Sequence, residues 1–141
     1  MAYMSQERKQ ERMPEIKRVL NKYGMKGTVS VRNHSTLVVT VTEGKLDILG
    51  NFFGVYNKKQ EIYPERYRSI NREDLTSIDV NQYYIDRDYS GKVKDFLEEL
   101  KSAMLGKDYF DHSDIQSDYF HCSHYIEIDI GKWNKPYKFV A

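Results

Sequence analysis

The segment 124–130 alternates apolar and polar side chains, and this two-residue period constrains the fold most. In a strand, successive side chains point to opposite faces, so such a segment has one buried and one wet face. The side chains expected on the buried face are His124, Ile126, Ile128 and Ile130, and those on the wet face are Tyr125, Glu127 and Asp129. A strand of this kind needs another layer over its apolar side, which predicts a sheet covered by helices.

Two segments have the apolar spacing of amphipathic helices. The first runs from Ile16 to Tyr23, with Pro14 expected in its first turn and Gly24 as its stop signal. The second is predicted between a Ser90 cap and Gly106. Its apolar face would consist of Val93, Phe96, Leu97, Leu100 and Met104. Residues 1–13 are mostly polar and charged, and we expect them to form a solvated arm.

Shorter alternating runs predict further strands. Residues 28–32 and 37–41 would form a hairpin around the turn residues 33–35, with a short third strand at 45–49. Another strand is expected near Ile78 and Val80. Residues 50–77 contain Gly50, Gly54 and Pro64 without a sustained period, which predicts a long loop.

The predicted element order is helix, strand, strand, loop, helix, strand. It indicates an α+β fold with an antiparallel sheet of about four strands and two main helices packed on one face. The length of 141 residues is typical of one domain, which would comprise residues 1–141.

Composition favours a cytoplasmic location. No apolar run approaches the roughly 20 residues that span a bilayer, so we expect no membrane association. The charged N-terminal stretch does not resemble a signal peptide, and a single cysteine, Cys122, excludes an internal disulfide.

Charge is unevenly distributed: residues 1–72 hold fourteen Lys and Arg against seven Asp and Glu, whereas residues 73–118 hold five against twelve. The sign of the partner therefore stays open.

The stretch 108–124 holds several carboxylates, three histidines and Cys122. Strand alternation would turn Cys122 and His124 toward the core and His121 away from it, so the three side chains would not converge on a metal. The aspartates lack the ligand spacing of a calcium loop, and no nucleophile–base pair stands out. We therefore predict no metal, no cofactor and no catalytic residue. An enzyme of unknown reaction at the 108–124 carboxylate and histidine cluster is the second alternative to the function predicted below.

Two segments have the composition of a binding surface. The predicted loop mixes aromatic and basic side chains, namely Phe52, Phe53, Tyr56, Lys58, Lys59, Arg66, Tyr67 and Arg68. Such a mixture suits single-stranded nucleic acid, which stacks on rings and follows cations, and it equally suits a protein interface. The acidic segment offers an anionic alternative through Asp111, Asp114, Asp118 and Tyr119.

Four stretches carry a resemblance to a known group of families: SVRNHSTLVVTV, KLDILGN, VNQYYIDRDYSG and DHSDIQSDYFHCSHYIEIDIGKWNKPY. The chain resembles the large polyvalent protein-associated domain families, in particular the one that ends in a TDYF…IGKWxKPY-like segment. The likeness is sharpest over residues 113–137 and leaves 50–77 unmatched. It implies a protein encoded by a phage or another mobile element, with no assigned reaction.

The resulting prediction is a non-catalytic accessory protein that inhibits a host defence complex through protein–protein contacts. A defence nuclease, of the kind targeted by anti-CRISPR or anti-restriction proteins, is the expected partner. The first alternative is a nucleic-acid-binding module that uses the basic and aromatic residues of 52–72.

Overall fold

The computed structural model of the protein describes residues 3–106 and 124–140. A short 3₁₀ turn lies at Arg72–Asp74. The helices and strands, in chain order, are α1 (Gln6–Lys22), β1 (Met25–Arg32), β2 (Thr36–Gly44), α2 (Ile48–Ile62), β3 (Ile78–Val80), α3 (Ile85–Asp88), α4 (Gly91–Leu105), β4 (Tyr125–Ile130) and β5 (Lys138–Phe139). The α+β class is confirmed.

The sheet is mixed rather than antiparallel. Its strand order is β1-β2-β4-β3, with β5 pairing beside the end of β2. The β1–β2 and β3–β4 pairs are antiparallel, as predicted, but the central β2–β4 pair is parallel. The prediction of an antiparallel sheet was wrong at this pair and at the short β2–β5 pair, which is also parallel. Parallel neighbours need a long crossover, and the chain between β2 and β4 contains helix α4.

The core lies between one face of this sheet and helices α1 and α4. Across the central pair, Leu37 stands opposite Ile126 and Val39 opposite Ile128, and these side chains are buried. From the helical layer, Phe96 is fully buried and meets the ring of Tyr23 edge-on, with 5.4 Å between the ring centroids. The two main helices therefore pack on one face, as the apolar stripes predicted.

The N-terminal residues belong to the fold instead of forming a solvated arm. Helix α1 begins at Gln6, and its cap Ser5 accepts a hydrogen bond from the backbone N–H of Arg8 at 3.1 Å. Met4 is fully buried, and its N–H donates to the carbonyl of His34 in the hairpin turn at 2.6 Å. Pro14 lies inside the helix and not in its first turn, where it was expected.

The predicted loop at 50–77 is also corrected, because α2 occupies its first half. The carboxylate of Asp47 caps this helix by accepting a hydrogen bond from the N–H of Gly50 at 3.0 Å. A side chain at Gly50 would collide with that cap, since its Cβ would lie 2.2 Å from a carboxylate oxygen of Asp47. The expected third strand at 45–49 gives way to the start of this helix.

The remaining elements follow the sequence closely. The hairpin turns at Asn33 and His34, whose positive φ angles of 55° and 57° suit a tight connection between twisted strands. Strand β3 spans the predicted residues, and α4 ends at Gly106 with a positive φ of 79°. None of the described helices combines the length and the apolar character that crossing a bilayer requires.

Candidate functional site

The sheet face turned away from α1 and α4 is mostly polar, as strand alternation requires. We name it the polar face. Its side chains come from four strands: Thr28, Ser30 and Arg32 of β1, Thr36, Val38, Thr40 and Thr42 of β2, Asp79 of β3, and Tyr125, Glu127 and Asp129 of β4. One row across it runs Thr28, Thr40, Asp129, Asp79, because each stands opposite the next.

Three carboxylates meet on this face around Asp129. Burial, followed by hydrogen bonding with Glu127 and Asp79 and by their negative charge, raises the pKa of Asp129 to about 8. Its Oδ1 is buried and receives no hydrogen bond from an N–H or hydroxyl group of the described residues, so only the neighbouring carboxyl groups can share a proton with it. Arg32 reaches across β2 and donates to both carboxylate oxygens of Glu127, one of them at 3.0 Å, and this bidentate pair lowers the pKa of Glu127. At neutral pH, Asp129 is therefore mostly protonated, while its neighbour Glu127, which is paired with Arg32, is charged.

The cluster of Asp79, Glu127 and Asp129 does not form a metal centre. In residues 3–106 and 124–140, no three His, Cys, Asp or Glu side chains are arranged to hold a metal ion. A protonated acid beside an ionised one is a chemical prerequisite for acid–base work, but it needs a substrate position as well.

A groove of about 580 Å³ lies at one end of the polar face. Its floor is made of hydroxyl side chains from the strands, and its wall is the turn that follows β4. The lining residues are Thr28, Thr40, Thr42, Glu43, Gly131, Lys132, Asn134, Lys135, Pro136 and Lys138. At the tip of the turn stands Trp133, whose side chain is 87% exposed. Among the described residues this is the most exposed of the large apolar side chains.

The turn that carries Trp133 is held firmly at its base. Lys132 and Lys135 exchange two backbone hydrogen bonds, of 2.8 and 3.1 Å. Gly131 has a φ of 68°, and a Cβ there would lie 2.5 Å from the backbone nitrogen of Tyr137. The hydroxyl of Tyr137 in turn donates to the carbonyl of Leu46 at 2.6 Å. The indole therefore projects from a fixed support.

The predicted aromatic and basic residues of 52–72 fall on α2 and the chain that follows it. We name residues 48–72 the α2 segment. Its rings pack on one another: the ring centroid of Phe52 lies 6.1 Å from that of Tyr56 and 5.7 Å from that of Tyr89. Tyr56 meets Tyr67 edge-on at 5.7 Å, and its hydroxyl donates to the carbonyl of Arg68 at 2.8 Å. These rings hold the segment together.

Other predicted contacts of the α2 segment divide between internal and exposed positions. The Lys59 ammonium donates to the carbonyl of Arg87 at 2.9 Å and lies 3.3 Å from the carboxylate of Asp88. Phe53 is half-buried. The exposed side chains include the predicted contacts Lys58, Arg66 and Arg68. Tyr63, an aromatic residue of the same predicted mixture, is 47% exposed, and its neighbour Ile62, which the sequence did not single out, is 67% exposed.

The predicted contacts of the acidic segment all lie outside the described residues. They are Asp111, Asp114, Asp118 and Tyr119. His121 and Cys122 of the 108–124 stretch also lie outside the described residues. His124 is described, and it is fully buried, as its parity predicted. Its Nε2 lies 2.9 Å from the carbonyl of Met104, which can only accept, so Nε2 carries the proton. Burial lowers the pKa of His124.

From the sequence, Trp133 could equally cap the sheet or contact a partner, and the approach of Asp79 to Asp129 was not predicted. A lone tryptophan flanked by lysines in a GKWNK stretch was a usable signal, because tryptophan is rarely left exposed. The two aspartates gave no local signal, since they meet only through the pairing of β3 with β4. Comparison with family models, with curated proteins and with solved structures finds no match for this chain.

Proposed function

We propose that this chain is an accessory protein of a phage or another mobile element that binds and inhibits a host defence complex. It acts in the host cytoplasm through protein–protein contacts, and the α2 segment is the contact surface. The observation that carries this proposal is the exposure of Ile62 and Tyr63 at the end of α2. Exposed apolar side chains beside polar ones are typical of interaction sites.

The composition around this end of α2 suits a protein partner. Tyrosine and arginine are enriched among the residues that dominate binding energy, and Arg66 and Arg68 are exposed near Tyr63. Ile62 supplies an apolar anchor that a partner pocket would remove from water. Glu61 and Glu65 are exposed there as well, so these side chains offer an apolar centre with a polar rim of both charges, which is the usual arrangement of an interface.

The internal ring contacts favour a protein partner over a nucleic acid at this segment. Phe52, Tyr56 and Tyr67 pack on one another or on Tyr89, so their faces are partly occupied and less available to stack on bases. The same contacts fix the backbone before binding. A pre-organised segment loses less conformational entropy when it docks, which raises the affinity that a given contact area provides.

The host setting of the proposal rests on the resemblance to the large polyvalent protein-associated domain families. A protein that a mobile element brings into a new cell meets that cell's defences first, and blocking a defence nuclease requires binding alone. An inhibitor of this kind needs no catalytic centre, and a defence nuclease complex of CRISPR or restriction type is the partner we propose.

The test combines capture with a protection assay in cells that carry an active CRISPR or restriction system. The tagged wild-type chain should retrieve one defence complex at near-equal stoichiometry and raise the plating efficiency of a targeted phage by at least about tenfold. The variant Ile62→Asp/Tyr63→Ala should lose both effects, because it places a charge in the apolar contact. Tyr83→Ala is the matched control, since Tyr83 is 76% exposed and lies outside the α2 segment.

Two results would contradict the proposal. Wild-type protein that neither captures a defence complex nor protects the phage would remove the inhibitory function. Full protection by the Ile62→Asp/Tyr63→Ala variant, with a far-ultraviolet circular dichroism spectrum like that of wild type, would remove the α2 segment as the contact surface.

A further inference from the structure

The Trp133 turn holds a large apolar side chain in water without an evident structural reason. Its indole is 87% exposed, and the turn beneath it is fixed by the reciprocal Lys132–Lys135 hydrogen bonds and by the close packing of Gly131 on Tyr137. The exposed indole is therefore accessible for stacking, and it is carried by a fixed backbone. Stacking of a ligand ring on the indole would bury apolar surface that is exposed to water in the free protein, and this burial is favourable.

The groove that is lined by both chain neighbours of Trp133, Lys132 and Asn134, is cationic. Lys132, Lys135 and Lys138 line it, and none of their ammonium groups forms a salt bridge or hydrogen bond with the described residues. Against them stands the carboxylate of Glu43. Asp129, which neighbours the groove through Thr40, adds little negative charge at neutral pH because its pKa is raised to about 8. The groove is therefore complementary to an anion.

The groove floor offers hydrogen-bonding groups for a ligand with polar edges. Thr28 and Thr40 stand side by side on neighbouring strands, and the hydroxyl of Thr42 donates to the carbonyl of Lys26 at 3.2 Å, which leaves its oxygen free to accept. Asn134 adds an amide. A volume of about 580 Å³ falls within the range of pockets that hold ligands of nucleotide size.

We infer that the Trp133 turn and its groove bind single-stranded nucleic acid, with a base stacked on the indole and the phosphates following the three lysines. Aromatic platforms beside cationic grooves are the general means of binding single strands. An acidic peptide would satisfy the lysines but would leave the indole without a stacking partner. A duplex would present phosphates while its bases remain paired. This inference goes beyond the proposed function and concerns a different surface.

Trp133 itself provides the measurement, because it is the only tryptophan in the sequence. Titration with a short oligouridylate or oligothymidylate should quench the intrinsic fluorescence, since the base stacks directly on the fluorophore. Three phosphate contacts predict a slope of about −2 for log affinity against log salt. Affinity should therefore fall roughly 20-fold between about 50 and 200 mM salt.

Variants separate the ring from the lysines, with binding followed by the anisotropy of a labelled oligonucleotide. Trp133→Ala should weaken binding by about tenfold or more, and Trp133→Phe should retain part of the affinity because a ring remains. Replacing Lys132, Lys135 and Lys138 with alanine should abolish the salt dependence. Lys92→Ala is the matched control, because Lys92 is an exposed lysine of α4, on the other side of the sheet, and binding should not change.

Several outcomes would overturn the inference. Absence of quenching, or equal affinity for a duplex, would remove base stacking on Trp133. Polyglutamate that binds as tightly as the oligonucleotide would show an acidic-peptide site instead, and a mononucleotide that binds as tightly would show a small-molecule pocket. Unchanged binding by the triple lysine variant, with wild-type thermal stability, would remove the groove. The α2 variants used above leave this surface intact, so the two proposals fail separately.

Discussion

The protonated carboxyl group on the polar face predicts an unusual loss of stability as the pH rises. Asp129 stands directly opposite Asp79 and shares its face with Glu127, so ionising it adds a third negative charge to a partly buried cluster. We expect the substitution Asp129→Asn to remove this cost, because an amide stays neutral and can donate hydrogen bonds to the two remaining carboxylates.

The sign and size of the effect follow from the shift in pKa. The folded protein holds the proton of Asp129 up to about pH 8, whereas the unfolded chain releases it near pH 3.8. Stability from this group is therefore complete below pH 3.8 and is lost as the pH rises through about 8. The full shift sets a ceiling of about 6 kcal/mol. Because Asp129 keeps some solvent contact, screening reduces the expected loss to about 1–3 kcal/mol.

Urea unfolding followed by far-ultraviolet circular dichroism between about pH 5 and pH 9 measures the effect. The free energy of unfolding of the wild type should fall across this range, while that of Asp129→Asn should fall less and exceed the wild-type value at pH 9. Asp86→Asn, at an exposed position of α3, is the control and should follow the wild type. A wild-type curve without this fall, or an Asp129→Asn protein less stable than wild type at pH 9, would refute the reasoning.

Three further substitutions test the fold. Gly131→Ala should lower the free energy of unfolding by about 1–3 kcal/mol, because Gly131 has a positive φ and its Cβ would meet the backbone of Tyr137; thermal melts measure this. Gly54→Ala is its counterpart: Gly54 lies in α2 with open space around it, so stability should rise by up to about 1 kcal/mol, and a loss would contradict the helix. Burial lowers the pKa of His124, so wild-type stability should fall as the pH drops below 6.5, and His124→Gln should flatten that part of the pH curve in chemical denaturation.

Helix α4 and the β1–β2 hairpin could be predicted because their signals are local. The apolar stripe from Val93 to Met104 and the stop at Gly106 lie within one segment, and the hairpin has its turn residues between two alternating runs. The α2 helix gave no such signal: of its fifteen residues only Ile48 and Leu49 are buried, and two glycines lie within it. Its helical state depends on the Asp47 cap and on ring contacts with later residues, which periodicity does not report.

For the site, alternation determined which face each side chain occupies but not which strands become neighbours. It placed His124 in the core and Glu127 with Asp129 on the opposite face, and the structure confirms both. The approach of Asp79 and the reach of Arg32 to Glu127 depend on β3 and β2 flanking β4. Strand neighbours far apart in the chain are set by the whole packing arrangement, which residue spacing alone does not encode.

The parallel β2–β4 pair has a consequence for how the chain folds as it is synthesised. Leu37 and Ile126 lie about ninety residues apart in the sequence, yet they face each other at the centre of the core. While the ribosome is still making the intervening residues, the apolar edge of β2 has no partner strand and stays open to wrong pairings. We expect nascent chains arrested before residue 125 to be degraded by proteases or held by chaperones, and chains released after residue 130 to resist both.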